Sequence, residues 1–305
     1  WRTSYRVMKI LYTPTHLPEP LDYQFSIIDT ETLETENYGH RIEINQDKFY
    51  GWEGQTRYIK SRPFGVSWNE QNFFVANRTN LIKFDKNLNQ INHYDIYHGN
   101  PHQILEIDGK IYATDTSINC INIFDIKSEK VERLFDPVKQ EEVEIDKPVH
   151  FRDMDKNHIN SLHYDGEFLY VLLHNWGKRF SEYLKLDLKL NLVKRRQLRA
   201  KFAHCVYLDR GIASTLDTGL SQYIVREDNS CIRLKNINKD FIRGYAANKY
   251  FHIVGVTNRE NMTSRLIFID KTTLKQTELK LDCQDFAELR LIGEFDYSHN
   301  KESFL

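Results

Sequence analysis

Five copies of one strand rhythm, a composition rich in tyrosine and phenylalanine, and the near absence of helical periodicity predict an all-β fold. The architecture they specify is a six-bladed β-propeller, a single domain over residues 1–305 with the sixth blade closed by N- and C-terminal strands. Each copy runs as a turn-flanked apolar segment, an aromatic-rich strand after Asp-Gly or Asn, and a third strand ending in Asp. The copies are RPFGVSWNEQNFFVANRTNLIKFD from Arg62, NPHQILEIDGKIYATDTSINCINIFD from Asn100 and NHINSLHYDGEFLYVLLHNWGKRFSEYLKLD from Asn157. Two more are FAHCVYLDRGIASTLDTGLSQYIVRED from Phe202 and IRGYAANKYFHIVGVTNRENMTSRLIFID from Ile242. Their starts lie about 40 to 57 residues apart, a spacing normal for four-stranded blades with surface loops of varied length.

The closing Asp85, Asp125, Asp187, Asp228 and Asp270 each precede a polar turn, after which a more polar fourth strand fits the outer edge of a sheet. RVMKILYT and YQFSIIDTETLETENY supply the second to fourth strands of a sixth blade, and DFAELRLIGEF its inner strand. Pairing them closes the ring and removes its free edges. The best helical candidate, from Phe180, reads mostly with period two, and its YLKLDLKLNL section predicts a strand pair around a turn. EEVEIDKPVHFRDMDKN reads as a charged, solvating connection, and KFYGWEGQTRYIKSR as a long one able to cover a mouth of the ring. Two stacked β-sandwiches would share the alternation but not the recurrence of turn and terminal Asp at matched places.

With 42 Lys plus Arg against 43 Asp plus Glu, the net charge is -1, so no bulk field attracts nucleic acid or an anionic membrane. No apolar run is long enough to insert in a bilayer. The expected partner is a polar small molecule or a glycan, with the oligomeric state open. The start WRTSYRVMK lacks a signal peptide's apolar stretch and does not begin with Met, which reads as a processed or trimmed start. The compartment stays open, a soluble cytoplasmic chain being the default. Cys120, Cys205, Cys231 and Cys283 form no CxxC pair, which argues against a thiol redox motif or a zinc knuckle. The sequons at Asn77 and Asn261 are short enough to arise by chance.

Inner strands approach the propeller axis, and their first residues can form a central constellation. Those segments offer His102, His158, Asn160, His163, His204, Arg243, Glu288 and Arg290. The imidazoles of His102, His158 and His204 suit a divalent transition metal (Zn, Fe or Mn), and Glu288 suits a base or a further ligand. Arg243 suits a substrate carboxylate, sulfate or phosphate. Asn160, Arg259 and Trp176 are the expected substrate contacts, with Trp52 a second aromatic wall. Structural readings stand beside these. His163 can satisfy a carbonyl between blades, Arg290 can make a salt bridge, and Arg243 can tie blades together through carbonyls or Glu288. Cys205 beside His204 resembles a nucleophile–base pair, but adjacent strand residues point to opposite faces, so a buried, inert thiol is expected. Asp115 and Asp217, with Asn77 and Asn258, read as turn residues after the second strand.

HINSLHYDGEFLYV from His158, HCVYLDRGIASTLDTG from His204 and FIRGYAANKYFHIVGVTNREN from Phe241 resemble an uncharacterised bacterial β-propeller family, the one carrying the domain of unknown function DUF4915. His158, His204, Arg243 and Arg259 match positions of that family, whereas Cys205-Val206 and Thr218-Gly219 depart from it. The resemblance implies a propeller with a polar site and brings no settled reaction.

The leading functional expectation is a metal-assisted lyase or hydrolase acting on a polar, anionic, carbohydrate-like small molecule, with Arg243 orienting it and Glu288 moving a proton. The alternatives are a non-catalytic glycan- or peptide-binding propeller, which predicts saturable binding without turnover, and a structural interaction platform, which predicts histidines satisfied inside the protein.

Overall fold

Each apolar repeat becomes an antiparallel sheet, and six such sheets, five of four strands and one of five, form a six-bladed β-propeller. The computed structural model describes residues 8–14, 23–40, 42, 49–50, 63–97, 101–145, 149–150, 155–209, 211–219, 223–237, 240–281, 283, 285–302 and 304. Blade one mixes both ends of the chain, in the order Phe286–Ile292, Lys9–Pro14, Phe25–Asp29, Thr35–Tyr38. Blades two to six begin with the inner strands Val66–Trp68, Pro101–Ile107, Ile159–Tyr164, His204–Asp209 and Phe241–Ala247. The segment from Phe180 forms a strand pair around a turn as expected, Glu182–Leu186 and Leu192–Gln197, with the second strand beginning only at the last residue of YLKLDLKLNL.

The recurrent Asp has a local cause. Asp29, Asp85, Asp125, Asp187, Asp228 and Asp270 each end a third strand or follow it within two residues, and each accepts backbone N–H groups of the next turn. Those bonds favour the ionised form and lower each carboxyl's pKa. Between blades lie six apolar clusters, each drawn from two neighbours around the ring. Leu105, Ile121 and Phe135 of blade three meet Ile159, Val171 and Leu184 of blade four, and Met8, Ile10 and Leu289 of blade one meet Ile253 and Leu266 of blade six. Both faces of a blade are therefore covered, which explains strands that read as nearly continuous apolar runs.

The inner strands are not regular. Opposite Thr114, Thr215, Gly255 and Thr13 the inner strands of blades three, five, six and one place two residues against one, and blade four has Asn160 as an extra residue. These bulges sit near the start of each inner strand and reset its alternation. Inner strands also crowd together: a Cβ on Gly65 would lie 2.6 Å from the backbone N of Ile104.

The lower end of the axis is closed by a segment not singled out in the sequence. After Ile292 the chain crosses the ends of the inner strands. Asp296, fully buried, accepts the backbone N–H groups of Leu291, Ala247 and Ser298. The Ser298 carbonyl accepts from His163 at 3.0 Å, His299 meets Ser67 at 3.2 Å, and Lys301 donates to the Trp68 carbonyl at 2.6 Å and pairs with Glu106 at 2.5 Å.

The charged connection before His158 is more than solvation. Its Glu141–Glu142 adds a fifth strand to blade three, and its Val149–His150 pairs in parallel with Phe49–Tyr50. The rest of KFYGWEGQTRYIKSR, with Trp52, lies outside the described residues. Among the described residues, no helix is long and apolar enough to cross a membrane.

Candidate active site at the upper mouth

At the opposite end, the bulged starts of the inner strands, with the end of the second strand of blade four (Leu169–Leu173), bring four imidazoles into one arc. Ring centroids are 4.9 Å apart for His102 and His158, 4.7 Å for His158 and His174, and 5.2 Å for His174 and His204. Blades three, four and five thus contribute to a continuous histidine surface. Aromatic rings flank it: Phe64 stacks on His102 at 5.4 Å, Trp176 lies 4.2 Å from His158, and Phe241 lies 5.7 Å from His204. Arg243 sits 5.8 Å from the Phe64 ring, and no hydrogen bond or ion pair among the described residues engages its guanidinium. Arg259 stacks at 3.5 Å on Phe241 and reaches Asp285 at 3.4 Å, on the rim.

The hydrogen bonds assign the protons. His158 Nδ1 faces the Asp155 carboxylate at 2.7 Å and must donate to it. His204 Nδ1 faces the Phe202 carbonyl at 2.9 Å and likewise donates. His102 Nδ1 lies 3.0 Å from the Thr116 hydroxyl, whose own proton goes to the Ile159 carbonyl at 2.6 Å, so the ring is again the donor. In the neutral form, each of the three therefore keeps its lone pair on Nε2. His174 is different: its Nδ1 accepts the Trp176 N–H at 3.2 Å. Burial pushes His174 down to about 2 and holds His204 well below the usual imidazole range, with Arg243 and neighbouring imidazoles acting in the same direction. Both rings are neutral at pH 7, the state that ligates metals or hydrogen-bonds a substrate. Among the described residues, no group of three His, Cys, Asp or Glu side chains is arranged to hold a metal ion.

Polar side chains floor the mouth. Gln103 accepts from the Ser161 hydroxyl and the Leu162 N–H, both at 2.7 Å, and its amide nitrogen lies 3.4 Å from Glu288 across the axis. Glu288, 2% exposed, is pushed up to about 7 by burial, against the opposing pull of Arg290 and Arg243. Its ion-pair partner is Arg290 at 2.7 Å, on the same strand, not Arg243. Arg290 is accordingly interior, and the expected Glu288–Arg243 tie between blades is not formed.

The other expected residues divide between mouth and scaffold. Asn160, the extra residue of its bulge, donates to the Ala203 carbonyl at 3.0 Å and so joins blades four and five. Trp176 donates from its indole to the Asp155 carbonyl at 3.0 Å. His163 lies at the lower end, satisfied by a carbonyl of the tail instead of a neighbouring blade. Cys205 does not follow strand alternation: it occupies a bulge at φ 60°, and burial pushes its thiol up to about 12, which keeps it inert for a different reason. Asn77 and Asn258 cap their turns as expected, and Asp217 accepts the Lys201 N–H. His174, Asp155 and Gln103 were not anticipated. His174 was findable, because the HN of LLHNWG is the blade-four counterpart of the AN in ANRT and the TN in VTNR.

Glu288 makes a pH prediction. A carboxyl raised from 4.5 to about 7 contributes stability that is full below 4.5 and is lost as pH rises through 7. Relative to Glu288→Gln, the wild type is expected to lose on the order of 3 kcal/mol between those limits. Urea unfolding across the range checks this, and parallel profiles for the two proteins would contradict it.

No family model and no curated protein matches the chain. Solved structures match along nearly its whole length. A protein of unknown function from Bacteroides caccae is 12% identical, with 94% of this chain and 100% of that chain covered and a TM-score of 0.60. A chain of the nidogen/laminin complex is 10% identical, with 93% and 98% covered and a TM-score of 0.61. A putative 6-phosphogluconolactonase from Bacteroides fragilis is 11% identical, with 95% and 99% covered and a TM-score of 0.51. At such identities the likeness is one of fold, which binders and enzymes share.

Proposed function

We propose that the upper mouth is the active site of a metal-assisted lyase or hydrolase acting on a polar, anionic, carbohydrate-like small molecule, in a chain related to the DUF4915 propellers. The observation that carries this reading is that His102, His158 and His204, from three blades, share one tautomer, each with its Nδ1–H anchored on an oxygen, in the same mouth as Arg243. The chemistry of this donor set fits Zn, Fe or Mn, including outer partners such as Asp155 that fix the ring orientation, although among the described residues the rings are not spaced as a metal site. His102, His158 and His204 would hold the ion, which would supply Lewis acidity toward a substrate oxygen.

Arg243 binds and orients the substrate carboxylate. Glu288, near 7, is the carboxyl that populates both protonation states at neutral pH, and it moves a proton directly or through one water. Trp176 and Phe64 wall the mouth, and Arg259 and Asn160 bound it. Those aromatic walls also favour a second reading, a glycan-binding propeller without turnover.

Metal analysis of purified protein separates the two. About one divalent transition metal per chain is expected, lost in His102→Ala and in His204→Ala together with turnover. Metal-free protein that is active, or unchanged metal content in both variants, overturns the mechanism.

A further inference from the structure

The fourth imidazole is set up for a different task from the other three. A ring nitrogen that accepts an N–H carries no proton, so neutral His174, with Nδ1 accepting from Trp176, holds its proton on Nε2. The backbone enforces this: Asn175 and Trp176 adopt positive φ values of 56° and 52°, which turn the Trp176 N–H back onto the ring. Ser181 fixes the segment by donating to the His174 carbonyl at 3.3 Å, and the ring is wedged among His158, His204 and Phe202. His102, His158 and His204 each donate outward from Nδ1. The arc is therefore mixed in kind: His102, His158 and His204 carry the proton on Nδ1, whereas His174, between two of them, carries it on Nε2.

We infer that His174 donates from Nε2–H to an oxygen of the bound ligand and, with the Arg243 guanidinium, forms a two-donor subsite selective for a carboxylate-bearing molecule. This rests on reading the mouth as a ligand site. A guanidinium alone accepts any anion, whereas a second donor fixed by backbone geometry selects a ligand with an oxygen at a set place beside its charge. His174 is thus a substrate-binding residue, not a fourth metal ligand, since ligation through Nε2 would displace the proton that the Trp176 contact leaves there.

The test uses the full chain with histidine-selective 15N labelling, and long-range 1H–15N spectra that report each ring's tautomer. His174 is expected to show a protonated Nε2 and an acceptor-type Nδ1, with the opposite pattern for His102, His158 and His204. Glucuronate is expected to shift the His174 Nε2–H resonance and glucose to leave it unmoved. His174→Phe, which keeps a ring of similar shape, is expected to weaken glucuronate binding about tenfold, the loss of one hydrogen bond to a charged group. His174→Gln, which restores a donor, is expected to recover most of it. A protonated Nδ1 on His174, or equal glucuronate affinity in wild type and His174→Phe, overturns the donor role. Failure of glucuronate to bind the wild type overturns the ligand class and leaves the metal content of the protein as the separate measure of the catalytic reading.

Discussion

A chain ending at residue 285 is expected to show no cooperative unfolding transition and to aggregate, although it retains five blades intact. It loses the inner strand Phe286–Ile292, which pairs with Lys9–Pro14 and closes the ring. Ala287, Leu289, Leu291 and Ile292 are all at most 5% exposed in the folded protein. Their burial contributes on the order of 6 kcal/mol, comparable with the whole net stability of an ordinary domain, about 5–15 kcal/mol. Glu288 and Arg290 leave with the strand, and the Lys9–Pro14 edge of the sheet opens to solvent. A chain ending at residue 292 keeps the ring and loses only the lower closure. It should therefore melt cooperatively at a reduced temperature, with His163 and Ser67 deprived of their partners in the tail. Circular dichroism melts of the two truncations distinguish ring closure from local trimming. A full-length-like transition in the shorter chain would show that the blades do not depend on closure.

Replacing Arg243 with Ala is expected to weaken glucuronate binding by about a hundredfold while leaving thermal stability nearly unchanged. Arg243 has no ion-pair partner among the described residues, and burial already lowers its pKa despite the favourable fields of Asp285 and Glu288. Its charge is thus held at some cost in the free protein, and deleting it leaves no paired carboxylate stranded. In a complex, loss of a desolvated charge-assisted pair typically costs about 2–5 kcal/mol, which brackets the hundredfold effect. Arg243→Lys keeps the charge without the planar fork and should fall between the two. Arg290 serves as the contrast. It pairs with Glu288 in the interior, so Arg290→Met is expected to destabilise the fold instead. Titration calorimetry with glucuronate, alongside melts, checks both halves. Undiminished affinity in Arg243→Ala would remove this residue from the site.

The ring was legible in the sequence because its signals are local and repeated. Asp85, Asp125, Asp187, Asp228 and Asp270 advertise their turns through bonds to the next few residues, and Asp29 is the same device in the terminal blade. DFAELRLIGEF could be joined to RVMKILYT because five complete copies define what a sixth must contain. Side-chain direction at the axis was harder to read, and the bulges are the reason. Alternation assigns His204 and Cys205 to opposite faces, but an inserted residue at positive φ breaks that rule where the site is built. Gln103 was passed over beside His102 for the same cause, since both oppose Thr114. Asp155 was unreadable for another reason: it closes a long charged connection, and nothing local marks it as the partner of His158. The closure by Asp296, Ser298 and His299 depends on contacts with blades 49 or more residues away in sequence.

The central claim is that His102, His158 and His204 act together at one mouth. A crystal structure of the protein loaded with Mn2+ or Zn2+, with anomalous data collected at the metal edge, tests it most directly. The account predicts one strong peak bounded by the three Nε2 atoms, at about 2.0–2.1 Å from each for zinc, with Asp155 still on His158 and His174 outside the ligand set. No peak, a peak on other residues, or imidazoles that stay apart when the metal is present would contradict it.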